Sequence, residues 1–527
     1  MNSIQNPILR GFNPDPSFLR VGDDYYIATS TFEWFSGVAI HHSRDLVHWH
    51  LTSYALTRRS QMDLAGITDS SGIWAPNLTY RDGLFYLVYT IVRSRTGSFK
   101  DLHNYVITAP DVHGPWSDPV YLNASGFDPA LIHDDGRTWM INLQWDFRKN
   151  HSGFFGIIQQ EYDIEQQKLV GPIYTLLEKQ GLIEGSNLYK VGDYYHLILA
   201  KGGTGWLHSI SLARSKHING PYEVDSKPYI LSARDNEALP LQKAGHGSIV
   251  QTPSGKWYVA YLCGRPVGEG ENRRCILGRE TSLQEVTWSD DGWLRLASGG
   301  TDPETTVAAP QGFDPHPWPN RPERDDFDVE NLSIDWMSLR VPIEESWASL
   351  KERPGWLRLR GRESLRSLYE QSLVAKRIEE LHATAETCLE FSPEHFTQMA
   401  GLVCYYDTRG NYYLRVTIDD NGRKVLGIVL TDDGVYDELE ISQITIDDWQ
   451  KIYLRANINA ADLQFRASPN GQDWQPIGPI LDMSKLSDDY NTGPLRFTGT
   501  MVGLCAQDFR GTRLTADFDY FKLSYPE

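Results

Sequence analysis

The sequence of 527 residues is poor in cysteine and has no paired cysteine motif. Its five cysteines stand apart, and no two of them form a C-x-x-C pair. An odd number with such spacing argues against a disulfide framework and against a structural zinc site. The composition therefore predicts reduced thiols, as in a cytoplasmic protein.

Long apolar runs are also missing. The first residues show neither the basic segment nor the apolar core of a secretory signal. The sequence contains no run of about 18 apolar residues, the length that a membrane-spanning helix needs. We therefore expect a cytoplasmic protein without a membrane partner.

Basic residues are in deficit as well, because 50 Lys and Arg stand against 69 Asp and Glu, for a net charge of −19. This charge disfavours nucleic acid as a partner and is compatible with a neutral substrate.

Aromatic side chains, in contrast, are abundant at 12%, with 16 Trp and 27 Tyr. Large β-rich cores use such residues, since they fit a pleated surface. Sugar-binding sites use them too, because pyranose rings stack their C–H faces on aromatic rings. The length predicts two or three domains.

The first half of the chain repeats a loose unit five times. In each unit a polar residue leads a short apolar strand, and a turn with Gly or Asp and then an aromatic strand follow. The lead residues are Asp15, Asn77, Asp128, Glu184 and His246. Units of this kind, lengthened by loop insertions, are typical of propeller blades. We predict a five-bladed β-propeller over residues 1–300, with the lead residues converging at one end of its channel.

The pattern stops at a proline-rich stretch, residues 301–324, which we interpret as a linker lying over a surface. Residues 325–527 then show period-two alternation of apolar and polar residues, as in 356–360 and 412–416. This alternation predicts an antiparallel β-sandwich, which we assign to the concanavalin or jelly-roll kind. The predicted fold class is all-β, a propeller followed by a C-terminal sandwich.

Three of the lead residues are carboxylates: Asp15, Asp128 and Glu184. A single acid is more often solvated than catalytic, but these three stand next to Pro or Gly in apolar surroundings, at equivalent positions of the repeat. Burying a carboxylate is costly unless it has partners or a purpose. Inverting glycoside hydrolysis needs one protonated carboxyl group and one carboxylate that activates water, and a third carboxylate can raise the pKa of the acid. The residues alone do not assign these roles.

An ordered set of motifs resembles the β-xylosidases of glycoside hydrolase family 43. The motifs are GFNPDPS at 11–17, STFEWF at 30–35, WAP at 74–76, SGFDPA at 125–130, IEG at 183–185, QKAGHGS at 242–248 and LGRET at 277–281. Each motif alone is weak, but the ordered set is specific, and the resemblance extends over both predicted domains. It implies a five-bladed propeller and a β-sandwich. It also implies that Asp15 is the general base, that Glu184 is the general acid, and that Asp128 tunes and orients Glu184.

The resemblance suggests further contacts with the substrate. Arg279 would bind the terminal sugar, unless it forms only a structural salt bridge. Phe32 and Trp74 would be apolar walls of the pocket, with Trp145 as another aromatic candidate, although all three could be ordinary core residues. Met501 stands where close relatives carry a Phe that reaches from the sandwich to the pocket, so the sandwich is expected to contribute to the rim of the site.

His246 is open to two interpretations. A lone His is usually structural, but this one lies between Gly245 and Gly247 at a lead position. Several members of the family hold a calcium ion or another divalent cation in the channel, with a His and waters around it. We therefore expect His246 either to contact the substrate or to hold such a cation through water. The reaction itself requires no cofactor in this interpretation.

The sequence as a whole predicts an exo-acting, inverting β-D-xylosidase that releases xylose from the non-reducing ends of xylooligosaccharides. An accompanying α-L-arabinofuranosidase activity stays open, and a dedicated arabinofuranosidase is the alternative within the enzymes. A carbohydrate-binding propeller without catalysis is the alternative from another class. The resemblance also implies a homo-oligomer, a dimer or a tetramer.

Overall fold

The computed structural model describes residues 3–178, 181–312, 314–490 and 493–526. The described chain is almost entirely β-strand, with 3-10 turns at Gly270–Asn272 and Met483–Lys485. It forms two compact units. The first comprises Met1–Met62, Ser71–Pro266 and Arg279–Trp318, and the second comprises Asp63–Ser70, Val267–Gly278 and Pro319–Glu527.

The first unit contains five antiparallel sheets of four strands each, which are the blades of a propeller. Their orders are β2-β3-β5-β6, β7-β8-β9-β10, β11-β12-β13-β14, β15-β16-β17-β18 and β19-β20-β21-β22. The strands of the unit are β1 (Ser3–Gln5), β2 (Ser17–Val21), β3 (Asp24–Thr29), β4 (Trp34–Phe35), β5 (Gly37–Ser43), β6 (His50–Leu56), β7 (Gly72–Arg81), β8 (Leu84–Ser94), β9 (Asp101–Ala109), β10 (Val120–Asn123), β11 (Gly126–Asp134), β12 (Arg137–Trp145), β13 (Phe154–Asp163), β14 (Lys168–Glu178), β15 (Ile183–Val191), β16 (Tyr194–Lys201), β17 (Ser209–Ser215), β18 (Glu223–Val224), β19 (Gln242–Gln251), β20 (Trp257–Gly264), β21 (Glu280–Trp288), β22 (Leu294–Leu296) and β23 (Thr306–Ala308).

Tight hairpins join the first two strands of the blades. In the second and third blades the turn is Asp-Gly, at Asp82-Gly83 and Asp135-Gly136, and both residues of each turn have positive φ. Two successive positive φ angles define a type I′ turn, whose twist matches that of the flanking strands. The Asp-Gly pairs of the sequence therefore fix where each hairpin reverses.

Neighbouring blades are joined around the channel by one repeated contact. A backbone N–H of one innermost strand donates to a side-chain oxygen of the innermost strand before it. These pairs are Leu78 N to Ser17 Oγ (2.9 Å), Leu131 N to Asn77 Oδ1 (3.0 Å), Ile249 N to the Tyr189 hydroxyl (3.1 Å) and Phe18 N to Ser248 Oγ (2.9 Å). The last pair connects the first blade to the fifth and closes the ring. Apolar side chains such as Leu143, Ile157 and Leu197 fill the space between blades.

Part of the stretch interpreted as a linker belongs to the first unit. Strand β23 pairs antiparallel with β1, with Ser3 opposite Ala308. Farther along, the ring of Trp318 lies 3.8 Å from that of His50, centroid to centroid. The division between the two units falls after Trp318.

The second unit is a sandwich of two antiparallel sheets. One has the order β33-β32-β31-β30-β37-β28-β25, and the other has the order β26-β27-β38-β29-β34-β35-β36, with β24 paired to β38. The strands are β24 (Arg324–Asp325), β25 (Met337–Leu339), β26 (Ala348–Ser349), β27 (Leu357–Arg360), β28 (Ser372–Arg377), β29 (His382–Glu390), β30 (Gln398–Asp407), β31 (Gly410–Ile418), β32 (Lys424–Asp432), β33 (Val435–Thr445), β34 (Ile452–Asn459), β35 (Asp462–Ser468), β36 (Gln475–Asp482), β37 (Met501–Asp508) and β38 (Thr515–Ser524).

One apolar core fills this sandwich, with Leu402 and Leu414 from the first sheet and Leu454 and Phe465 from the second. The alternation seen in the sequence places these side chains inward. The predicted fold class, a five-bladed propeller followed by a sandwich, is confirmed. Among the residues that the structure describes, no helix has the length and apolar character needed to cross a membrane.

Candidate active site

The innermost strand of each blade carries an irregularity at or just before its beginning. Residues with positive φ there include Asp15 (57°), Ala75 (28°), Asp128 (55°), Gly185 (55°) and His246 (53°), and the second and fifth blades have a further one each, Gly72 (87°) and Lys243 (55°). In blades two to five the strand register shifts at the same place. Bulges of this type turn a side chain out of the sheet and are common beside active sites. The repeat in the sequence thus corresponds to a repeated bend at one end of the channel.

The equivalence of the lead residues is only partial. Asp15, Asp128 and His246 occupy the bent position, but Glu184 lies one residue before it and Asn77 lies two residues after it. Asn77 is instead a channel residue, whose Nδ2 donates to Asn187 Oδ1 at 3.0 Å. Gly185 takes the bent position in the fourth blade, so Glu184 directly precedes the bend, whereas Asp15 and Asp128 lie at it.

Asp15 is buried in a cluster of positive and polar groups. Arg279 Nη1 donates to its Oδ1 at 2.8 Å, and the Ser30 hydroxyl donates to its Oδ2 at 2.6 Å. His246 Nδ1 lies 3.6 Å from the same Oδ1. Burial opposes ionisation of Asp15, but the charges of Arg279 and His246 and the Ser30 hydrogen bond outweigh it and hold the pKa of Asp15 below its ordinary value. Asp15 is therefore a carboxylate at neutral pH.

The pKa values of Glu184 and Asp128 are shifted in the opposite direction, upward. Burial and the negative charge of Asp15 raise the pKa of Glu184 to about 7. Burial and the charges of Glu184 and Asp15 raise the pKa of Asp128 well above its usual range. The backbone N–H of Gly185 donates to Asp128 Oδ2 at 2.8 Å, so Asp128 is bound to the residue that follows Glu184.

Arg279 connects the carboxylates to the polar and aromatic parts of the site. Besides Asp15, its Nη1 donates to Thr204 Oγ1 at 3.1 Å. Its guanidinium carbon lies 5.3 Å from the ring centroid of Phe32, in a cation–π contact. The predicted salt bridge of Arg279 thus exists, and its partner is a residue of the site itself.

Aromatic rings continue from Phe32 along one side of the site. Successive centroids are separated by 5.9 Å from Phe32 to Trp74, 5.5 Å from Trp74 to Phe127, 6.4 Å from Phe127 to Phe154 and 5.4 Å from Phe154 to Trp145. Phe32 is buried, whereas Trp74 and Trp145 are partly exposed. Trp145 thus lies at the outer end of a series that begins beside Arg279.

The surroundings of His246 bear on the predicted cation. His246 and His208 are both buried, and burial lowers the pKa of each, that of His208 to about 3. Calcium prefers oxygen ligands, but these side chains offer imidazole rings and one carboxylate, Asp15, that already accepts from Arg279. Within the described ranges no three His, Cys, Asp or Glu side chains are grouped so that they could hold a metal ion. The residues do not fit a directly coordinated calcium ion, whereas a divalent cation held by His246 through water stays a prediction, and we derive no step through either.

Sequence reasoning missed several residues that complete the site. Ser30 and Thr204 are hydrogen-bonded to Asp15 and Arg279, and Phe127 connects Trp74 to the outer aromatic rings. Ser30 stands in the STFEWF motif and Thr204 in a glycine-rich loop, which were the available signals. Met501, the first residue of β37, is fully buried in the second unit, and its contribution to the rim of the site stays a prediction.

The site combines a carboxylate that stays ionised with a carboxyl group that keeps its proton to about pH 7, beside aromatic rings. Such a pair can give a proton to a leaving oxygen and activate a water molecule in one step. A five-bladed propeller with this pair defines a glycosidase. The model of the glycosyl hydrolases family 43 matches residues 4–294, and that of the beta xylosidase C-terminal concanavalin A-like domain matches residues 324–524. The chain belongs to glycosyl hydrolase family 43.

Relatives of similar length match nearly all of the chain. A xylan 1,3-beta-xylosidase of a Vibrio species is 47% identical, over 99% of each chain. Xylosidase/arabinosidase 43B of Humicola insolens is 45% identical, over 99% of this chain and 97% of its own. The crystal structure of a xylan beta-1,4-xylosidase from Bacillus halodurans C-125 is 52% identical and superposes with a TM-score of 0.96, over 99% of this chain and 100% of its own.

Proposed function

We propose that this glycoside hydrolase is an exo-acting, inverting β-D-xylosidase that releases xylose from the non-reducing ends of xylooligosaccharides. One observation carries the proposal: the pKa of Asp15 is lowered and that of Glu184 is raised within a single buried site. Two carboxyl groups with separated pKa values are the requirement of acid–base glycoside hydrolysis. The names of the relatives support xylose as the sugar.

Asp15 is the general base in this mechanism, and Glu184 is the general acid. Glu184 gives its proton to the glycosidic oxygen as the bond to the anomeric carbon breaks. Asp15 takes a proton from a water molecule, whose oxygen attacks the anomeric carbon from the opposite face. The product is an α-xylose, and the two carboxyl groups return to their starting states when Asp15 loses its proton to solvent and Glu184 gains one.

Asp128 is a positioning residue in the same proposal. Its Oδ2 accepts from Gly185 N, which fixes the backbone immediately after Glu184. Arg279 and Ser30 keep Asp15 ionised and oriented. Phe32 and Trp74 supply apolar surface for the sugar ring in this proposal, and Trp145 contacts the unit beyond the cleaved bond.

The linkage is open between two alternatives that the relatives themselves represent. The Vibrio relative is named for β-1,3 bonds and the Bacillus halodurans relative for β-1,4 bonds. The Humicola relative, named as a xylosidase and arabinosidase, favours an accompanying α-L-arabinofuranosidase activity. We propose β-1,4 as the preferred linkage, since the relative named for it has the higher identity.

Initial rates test these points together. Nitrophenyl β-D-xyloside and nitrophenyl α-L-arabinofuranoside are compared side by side, followed by xylobiose in its β-1,4 and β-1,3 forms. We expect the xyloside and the β-1,4 disaccharide to give the higher kcat/KM, and Asp15→Asn to give none of these activities. Binding of xylooligosaccharides without hydrolysis would instead support a carbohydrate-binding propeller, and a preference for the arabinofuranoside would support a dedicated arabinofuranosidase.

The cytoplasmic location and the oligomeric state of the protein are also proposals. None of the five cysteines forms a disulfide, and all five are buried, which is compatible with the reducing cytoplasm. We propose a homo-oligomer, a dimer or a tetramer, on the resemblance alone. Light scattering that gives the monomer mass of 60.0 kDa at assay concentration would contradict it.

A further inference from the structure

Two large apolar side chains meet in solvent on the first unit. Phe99 is 72% exposed and Phe147 is 53% exposed. Their rings are stacked, with centroids 4.9 Å apart and planes at 29°. We call this pair the Phe99–Phe147 platform. Exposed apolar groups of this size that touch one another, rather than the core, indicate a surface that is covered by a ligand or a partner.

The topology places the platform at the end of the propeller that carries the carboxylates. Asp128 lies near the beginning of β11, so its antiparallel neighbour β12 ends at the same side. Strand β8 likewise ends beside the beginning of β7. Phe99 stands in the loop after β8, and Phe147 stands in the loop after β12. Both loops therefore leave the sheets on the catalytic side.

The loops that carry the platform are fixed by hydrogen bonds. Asp146, next to Phe147, is buried, and its N–H donates to the Gly153 carbonyl at 2.7 Å. Its carboxylate accepts from Arg148 Nη2, also at 2.7 Å. The indole N–H of Trp145 donates to the carbonyl of Ser98, next to Phe99, at 2.9 Å. This last bond ties the two loops together and holds the rings in place before any ligand arrives.

The platform continues the aromatic series of the site. That series runs from Phe32 through Trp74, Phe127 and Phe154 to Trp145. The ammonium group of Lys100, the residue after Phe99, lies 4.5 Å from the ring of Trp145. Phe32 and Phe127 are buried, but Trp74 and Trp145 are partly exposed, so a substrate that leaves the site past these two rings next meets the loops of the platform.

We propose that the Phe99–Phe147 platform is a distal subsite that stacks a xylose unit on the reducing-end side of longer xylooligosaccharides. The proposal rests on the proposed function. A xylopyranose unit is neutral, and its axial C–H groups match the electron-rich face of an aromatic ring. The subsite makes no contact with the bond that is cleaved. It contributes binding to substrates long enough to reach it and nothing to xylobiose.

Chain-length kinetics test the platform. KM and kcat are measured with xylobiose and with xylotetraose for the wild type, for Phe99→Ala and Phe147→Ala, and for the double variant. We expect the double variant to raise KM for xylotetraose about fivefold to tenfold, with kcat and both constants for xylobiose unchanged. Phe147→Tyr keeps the ring, so its affinity for xylotetraose should stay closer to that of the wild type than to that of Phe147→Ala.

The matched control is Phe396→Ala, which removes a ring that is 61% exposed in the second unit. It should leave the ratio of the two KM values at the wild-type level. An unchanged ratio in the double variant overturns the proposal, as does an equal rise of KM for both substrates. A change in mass by light scattering with an unchanged ratio would overturn it in favour of a contact between copies of the chain.

Failure of the proposed function is recognised separately. If the wild type hydrolyses neither xylobiose nor nitrophenyl xyloside, that function is wrong. Calorimetric titration of xylotetraose into the wild type and the double variant then decides on the platform alone. Weaker binding to the double variant than to Phe396→Ala supports it, and equal binding overturns it.

Discussion

Arg279 Nη1 lies 2.8 Å from Asp15 Oδ1, and both side chains are buried. A buried carboxylate is expensive to ionise, and a single guanidinium group at this distance offsets much of that cost. The same Arg279 lowers the pKa of Asp15 and opposes the rise in the pKa of Glu184. The charge of one residue thus lowers both limits of the pH range in which the two carboxyl groups have opposite protonation states.

Replacing Arg279 by Met should shift the acid limb of the pH profile. The reaction requires an ionised Asp15, so activity is lost as the pH falls through its pKa. Without the neighbouring positive charge that pKa rises, and we expect the acid limb of kcat/KM to move upward by about 1–3 pH units. Rates on nitrophenyl xyloside between pH 3 and 9 measure it.

Two further variants sharpen this experiment. Arg279→Lys keeps the charge and should shift the limb less than Met does. Arg295→Met breaks another largely buried ion pair of the first unit, with Asp225 at 2.5 Å, and should leave the limb in place while it lowers stability. An acid limb that stays at the wild-type position in Arg279→Met would show that Asp15 is not the base.

The stereochemistry of the product is a separate prediction. Because Asp15 activates a water molecule and forms no bond to the sugar, a β-xyloside should give α-xylose first. Proton NMR in the first minutes of a reaction, before mutarotation, distinguishes the two anomers. Initial release of β-xylose would require a covalent intermediate and would contradict the assignment of Asp15.

Much of this architecture is predictable because it depends on local signals. Asp-Gly turns such as Asp135-Gly136 need two successive positive φ angles and identify the hairpins of the second and third blades. The three carboxylates stand out because acids are rare beside Pro and Gly in apolar strands. The alternation of apolar and polar residues in the second half is also a local signal, and it predicts the strands of the sandwich.

Other features could not be read from the sequence, because they depend on where a bulge falls. The sequence treats Glu184 as the equivalent of Asp128, but in the fourth blade the bent position belongs to Gly185. Ser30 reaches Asp15 across the first hairpin of the first blade, 15 residues away, and Thr204 reaches Arg279 from the neighbouring blade, 75 residues away. Likewise, nothing local in the proline-rich stretch reveals that its residues 306–308 pair with β1.

Gly185 and Gly192 form a matched pair for testing the bend beside Glu184. Both have positive φ, at 55° and 58°, so Ala costs backbone strain on the order of 1 kcal/mol at either position. Only at Gly185 would the new methyl group meet other atoms, because the ring of His246 and the Cβ of Ala200 lie 2.9 Å away. At Gly192 nothing lies within 4 Å.

We therefore expect Gly192→Ala to lose little stability and Gly185→Ala to lose more, because the new methyl group clashes only there, and we expect the two activities to differ. Gly185→Ala should lower kcat by about a hundredfold or more, since the backbone that orients Glu184 and donates to Asp128 must move. Gly192→Ala should keep wild-type kcat. Thermal unfolding and rates on xylobiose are the two measurements, and equal kcat in both variants would show that the bend does not position the acid.

The last prediction concerns the proton on Glu184. A pKa of about 7 means that Glu184 is protonated below neutral pH, is about half protonated at pH 7, and loses its proton as the pH rises further. We expect kcat/KM on xylobiose to fall as the pH rises through about 7, because the leaving sugar then departs without a proton.

Glu184→Gln keeps the shape of the side chain but removes the acid, and should lower kcat on xylobiose about 10²–10⁴-fold. Nitrophenolate leaves without protonation, so the loss on nitrophenyl xyloside should be much smaller, and the fall above pH 7 should disappear with that substrate. Glu223→Gln, an exposed acid of the same blade, should change neither substrate. Equal losses on xylobiose and nitrophenyl xyloside would show that Glu184 does not act on the leaving group, and the acid would then have to be sought in Asp128, the other carboxyl group of the site with a raised pKa.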